Sequence, residues 1–266
     1  MRGTHVRRSS SDQGRIMIGG AVLLAISLLA SCSETGSNAT SSAEGSASTG
    51  VRILNDCPTL PCEGPLDPGD YRWEYGSTPN KPMIGFTVRE PGWTWLYGGG
   101  GLHIVTDDTP VEGLYSSEGI YLLHDPSIAS QDCEEAPEPG VGRSVGDLVA
   151  WLQAAPGLAV SQPTEVTVGG LEGVRLDLEL DPAWQRPCFF SKELPAVPLV
   201  VHKADAQGLG GYHWAMLPRM SMRWFLLPWK DGVIVVDIEN SKGGMSADDL
   251  ISAATPIVES FEFSAA

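Results

Sequence analysis

Positive charge is scarce in this chain. Of its 266 residues only 17 are Lys or Arg against 33 Asp or Glu, a formal net charge of −16. Four of those basic residues and one acid precede Cys32, which leaves 13 against 32, about −19, on residues 32–266. A surface that acidic excludes nucleic acid as a partner and excludes adhesion to anionic lipid headgroups. An apolar run long enough to span a bilayer is also missing. The longest stretch, Ile16 to Leu29, falls short of the roughly 18 residues that a spanning helix needs. Catalytic motifs are absent as well: there is no Gly-x-Ser-x-Gly elbow and no His-Glu-x-x-His pair. Gly98 to Gly101 are not followed by the Lys-Ser/Thr of a phosphate-binding loop, so they read as a turn. No cofactor and no metal site is expected. Asp177 and Glu179 stand two apart on an alternating strand beside Arg175, the pattern of a solvated face.

What is present is most telling at the start. Arg2, Arg7, Arg8 and Arg15 lead into the short apolar run, the layout of a secretory signal peptide over residues 1–31. The run exits through Leu29-Ala30-Ser31-Cys32, which resembles the lipobox of bacterial lipoproteins. That resemblance implies cleavage before Cys32 and acylation of its thiol by lipid carrying chains such as palmitate. Residues 33–50 are Ser, Thr, Gly, Ala, Glu and Asn with no large apolar side chain, so residues 32–50 read as a lipidated cysteine and a flexible linker. Eighteen such residues reach on the order of 23 Å, so any partner must come to the membrane. The remaining 51–266 read as one extracytoplasmic domain.

After Cys32, four cysteines remain, Cys57, Cys62, Cys133 and Cys188. In an exported protein they make two disulfides, with three connectivities. Cys57 with Cys62 would close a short loop around Pro58 and Pro61, leaving Cys133 with Cys188.

Along the domain, period-two alternation predicts strands over 71–75, 83–88, 93–97 and 119–124, and hairpins over 164–180 and 222–239. Ser144 with Asp147 has the form of a capping box opening a helix, and Ser246 opens a second helix that contains Pro256. Phe261 to Phe263 read as an edge strand. Residues 181–221, broken by Pro and Gly, read as an irregular excursion over one end of the sheet. The expected fold class is α+β, a twisted antiparallel β-sheet with two or more helices packed against it.

The order helix, hairpin at 166–180, hairpin at 225–238 and a helix ending in Val258-Glu259-Ser260-Phe261-Glu262-Phe263 resembles the PsbP-like lipoproteins of actinobacteria. The phrases Leu66-Asp67-Pro68-Gly69-Asp70-Tyr71, Phe86-Thr87-Val88-Arg89-Glu90-Pro91-Gly92-Trp93 and Val168-Gly169-Gly170-Leu171-Glu172-Gly173 are similar to phrases of uncharacterised actinobacterial secreted proteins. The resemblance covers residues 66–263, implies a twisted antiparallel sheet with packed helices, and brings no catalytic set. Together these features point to a lipoprotein anchored on the outer face of the cell membrane, a non-catalytic binding or accessory domain for a small molecule or an envelope protein. Trp93, Trp95, Tyr97, His213 and Trp214, aromatic or imidazole groups near glycine-rich loops, are the candidate ligand wall. A hydrolase is the competing reading, with His103, His124, His202 and His213 as candidate bases.

Overall fold

The alternating runs become strands because one face of each buries apolar side chains while hydrogen bonds pass to the neighbours. The computed structural model describes residues 50–54, 63–74, 81–98, 101–106, 118–134, 136–202, 212–241 and 245–265, and gives only backbone for 97–98, 101–102, 202 and 212–213. In chain order the strands are β1 (Arg52–Ile53), β2 (Gly64–Leu66), β3 (Gly69–Glu74), β4 (Pro82–Val88), β5 (Trp93–Gly98), β6 (Gly101–Thr106), β7 (Gly119–His124) and β8 (Ser127–Ile128). Helix α1 (Val145–Ala154) follows, then β9 (Leu158–Val160), β10 (Thr164–Val168), β11 (Leu171–Leu180), β12 (Val197–His202), β13 (Tyr212–Met216), β14 (Ser221–Trp229) and β15 (Gly232–Asn240). Helix α2 (Ala247–Glu259) and β16 (Glu262–Ala265) close the chain. The class is α+β, as the sequence predicts.

Among the described residues the strands form three sheets where the sequence predicts one. A nine-stranded sheet runs β10-β11-β14-β15-β7-β6-β5-β2, with β9 also on β11. Four strands make β1-β3-β4-β16 and three make β13-β12-β8. Pairing is antiparallel except between β1 and β3. The large sheet is covered on both faces. On one, Ile104, Ile120, Leu122, Val236 and Ile238 pack with Leu250, Ala254, Ile257 and Val258 of α2 and with Trp73, Ile84 and Phe86 of the four-stranded sheet. On the other, Leu176, Leu178, Trp224 and Val235 pack with Leu148 and Leu152 of α1 and with Val197, Leu199 and Val200 of β12. Each fully buried Leu or Ile contributes roughly 2 kcal/mol of transfer free energy.

Both caps form as the sequence predicts. Ser144 Oγ accepts from the Asp147 N–H, and the Asp147 carboxylate accepts from the Ser144 N–H. Ser246 Oγ accepts from the Asp249 N–H. Pro256 stands inside α2. One expectation fails. The excursion at 181–221 contains β12 and β13, because Val197, Leu199 and Val200 find an apolar surface to cover that the prolines around them conceal in the sequence. Residues 101–106, to which the sequence pattern assigns no element, are a strand, β6; Gly98 pairs with Gly101 across the β5–β6 hairpin. Cys133 and Cys188 form a disulfide. Cys32, Cys57 and Cys62 lie outside the described residues.

Candidate functional site

Strand β15 reads Gly-Val-Ile-Val-Val-Asp-Ile-Glu-Asn, apolar on both faces until Asp237. Alternation then puts Asp237 and Glu239 on the face of Val233 and Val235, where the second core lies. Both acids are buried, Asp237 completely. Register carries the layer outward across the sheet: Asp237 opposes Tyr121 on β7, Tyr121 opposes His103 on β6, and His103 opposes Leu96 on β5. On the other side Asp237 opposes Trp224 of β14.

Strand β13 lies over this layer and supplies Trp214. Its indole Nε1–H donates to Asp237 Oδ2 at 3.0 Å and to Glu239 Oε2 at 2.9 Å, so one donor serves two carboxyls. The indole ring meets Tyr121 edge-on at 5.2 Å between centroids and His103 at 6.2 Å, and His103 meets Tyr121 at 4.9 Å. Asp237 Oδ1 and His103 Nδ1 have no hydrogen-bond partner among the described residues.

These surroundings set the charge states. Burial pushes the Asp237 carboxyl well above the usual range and the charge of Glu239 adds to it, while the Trp214 and Trp224 indoles pull it back. Burial lifts Glu239 to about 8 against hydrogen bonds from Trp214 and Ser241. Burial likewise raises the Tyr121 phenol, helped by Glu239, Asp237 and Glu118, and lowers His103 to about 4. The nearby buried Glu118 accepts from the Met245 N–H at 3.1 Å. At neutral pH the acid pair therefore retains a proton, in a layer closed by the Trp214 ring.

A second feature is a groove of about 990 Å³ between the start of α1, the β10–β11 hairpin and the β14–β15 turn. Its walls include Arg143, Ser144, Glu165, Thr167, Lys230 and Asp231. Arg143 pairs with Asp125. His124, at the end of β7, is held below its usual range by burial and then by Lys81, Arg143 and Lys230. The cations Arg143 and Lys230 thus line the groove together with the acids Glu165, Glu172 and Asp231.

Of the predicted ligand wall, Trp93 and Trp95 do not meet Trp214. Trp93 and Trp95 are buried in the core on the α2 side of the large sheet, whereas Trp214 lies on the other face. Aromatic side chains at strand spacing fill the interior there. The side chains of Tyr97, His202 and His213 lie outside the described residues; the backbone of His213 pairs with Val201. His103 is enclosed by aromatic rings. Asp177, predicted to face water, is part-exposed and forms a two-pronged ion pair with Arg223 at 2.6 and 2.9 Å. Sequence reasoning misses Asp237 and Glu239. Their signal is an acid at alternate positions directly after a strand segment that is apolar on both faces. Among the described residues no His, Cys, Asp or Glu group is arranged to hold a metal ion, and no helix is long and apolar enough to cross a membrane.

No protein-family model and no curated protein matches the chain. Among solved structures, that of LpqN, involved in cell envelope biogenesis of Mycobacterium tuberculosis, is similar at a TM-score of 0.36 and 13% identity, over 76% of this chain and 90% of that one.

Proposed function

We propose that the chain is an actinobacterial envelope lipoprotein, tethered to the outer face of the membrane through lipid on Cys32. In this reading residues 1–31 are removed, 32–50 are the tether, and 51–266 form a PsbP-like, non-catalytic binding or accessory domain. The observation that carries the reading is Leu29-Ala30-Ser31-Cys32 at the end of an apolar run too short to span. The net charge supports it too, because an acidic body gains nothing from anionic headgroups and needs a covalent anchor to stay at the membrane. Two things favour binding over hydrolysis. The buried acids are enclosed and clasped by an indole, not presented to solvent, and the open groove beside α1 has room for a ligand or peptide between walls of both signs.

Cells producing the full chain and fed an alkyne fatty acid test the anchor. The mature protein should carry the label at Cys32 and partition with membranes, and Cys32→Ser should abolish labelling and leave unprocessed precursor. An unmodified mature N-terminus overturns the tether. A photo-crosslinking residue in place of Thr167, exposed on the groove wall, should retrieve a defined partner from the same cells. Retrieval of none overturns the binding role at that groove.

A further inference from the structure

Among the described residues strand β13 is the outer strand of its sheet, paired only with β12. What it sets on the large sheet is Trp214, whose single N–H is shared by two buried carboxyls. Neutral donors alone, the Trp214 indole to both acids with the Trp224 indole at Asp237 and Ser241 at Glu239, do not balance two carboxylates in a dry layer, so the closed arrangement requires a proton on the pair. The groups facing the pair do not relieve this. His103 from β6 is neutral, Tyr121 from β7 keeps its proton, and Glu118, just before β7, is turned to the Met245 N–H. From β14 the neighbours are Trp224 and Met222, the register partners of Asp237 and Glu239. Arg223, the nearest arginine along β14, is register partner to Ile238 on the opposite face, where it holds Asp177. Among the described residues no cation contributes to the charge state of either acid.

We infer that Trp214 and the Asp237–Glu239 pair form a proton-dependent latch: while the pair holds its proton β13 is clamped on the sheet, and loss of that proton frees the indole and releases β13. Repulsion between two adjacent buried carboxylates, each seeking water, would drive the release. Opening would uncover Leu96, Val105, Tyr121 and His103, a surface of aromatic, apolar and imidazole groups beside two fresh negative charges. An extracytoplasmic domain would thus expose a new face in response to external pH. The latch is a property of the fold of residues 51–266 and stands whether or not Cys32 is lipidated.

The test follows the indole directly. The chain has eight tryptophans, so indole-labelled protein gives a small set of N–H resonances, and that of Trp214 is assigned by its loss in Trp214→Phe. Between pH 5 and 9 the Trp214 resonance should shift and broaden on the alkaline side. Amide exchange of 212–216, corrected for intrinsic pH dependence, should rise by about tenfold or more relative to β15. In Asp237→Asn/Glu239→Gln, and in Glu239→Gln alone should the double variant fail to fold, both changes should vanish. An indole signal constant to pH 9 in folded wild-type protein overturns the latch. A transition that survives unchanged in whichever of these variants folds assigns the titration to another group, His213 included, and overturns it equally.

Discussion

A proton on His103 has no water to hydrate it and no carboxylate in contact, which is why burial holds that imidazole neutral down to about 4 against an ordinary 6.5. A depressed pKa in the folded state contributes stability that is present above 6.5 and lost as the pH falls through about 4, because the unfolded chain takes up the proton first. The acid pair works in the opposite sense. Its raised pKa contributes stability that is present below the ordinary carboxyl range and lost as the pH rises through about 8. The two act in opposite senses over the same range, the imidazole favouring the folded state as the pH rises and the acid pair favouring it as the pH falls. His103→Phe, which keeps an aromatic ring beside Tyr121 and Trp214 without a titratable nitrogen, should flatten the acid limb by up to about 3 kcal/mol. Thermal unfolding from pH 7 to 4 measures this. An acid limb as steep in the variant as in wild type would show that His103 is not responsible. The same reasoning makes the pair unreadable in the sequence. Asp177 and Glu179 on β11 have the spacing of Asp237 and Glu239 on β15, yet the first two reach solvent or Arg223 and the second two lie under Trp214. The difference is made by β13, from another part of the chain.

Among the strands and helices, the β10–β11 hairpin shows what local pattern carries and where it stops. Gly169 and Gly170 both have positive φ, 57° and 77°, and form the turn that the phrase Val168-Gly169-Gly170-Leu171-Glu172-Gly173 predicts. Gly173 is not turn at all: it pairs with Val166 inside the ladder, and a Cβ there would run into the Leu226 carbonyl of β14. Its role is close approach between strands, which nothing within the phrase reveals. Gly170 has open space around it, so Gly170→Ala should cost only the strain of a left-handed backbone, about 1 kcal/mol. Gly173→Ala must push β11 from β14 and should cost roughly 2–3 kcal/mol. Urea midpoints rank the two, and a milder effect at 173 than at 170 would contradict the packing. Both helices are legible because capping is local, with Ser144 and Asp147 three residues apart. Strands β12 and β13 are not, because β12 is interrupted by Pro198 and pairs with the distant β8, and β13 has only β12 as its partner among the described residues.

Over the full domain the long-range decision is which layer covers which face, and here a covalent link joins two loops. The Cys133–Cys188 bridge ties the segment after β8 to the segment before β12, with α1 and β9 to β11 inside its 55-residue span. Those elements supply Leu148, Leu152, Leu176 and Leu178 to the second core, so the bridge restrains the three-stranded sheet to the face it covers. An Ala or Ser pair in its place leaves the native contacts of β12 in being, since Val197, Leu199 and Val200 still find Leu176 and Leu178. The loss falls mainly on the unfolded chain, which regains the entropy of a loop of that length, about 3–4 kcal/mol in the chain-entropy account. For a domain of this size that corresponds to a drop in Tm of about 6–15 °C. Both cysteines are buried, so a reductant reaches the sulfurs only when the structure opens, and the clean comparison is Cys133→Ala/Cys188→Ala against oxidised wild type by calorimetry. A fall of less than about 2 °C would mean that the layers are held in place by packing alone, and that the bridge forms late on a fold already fixed.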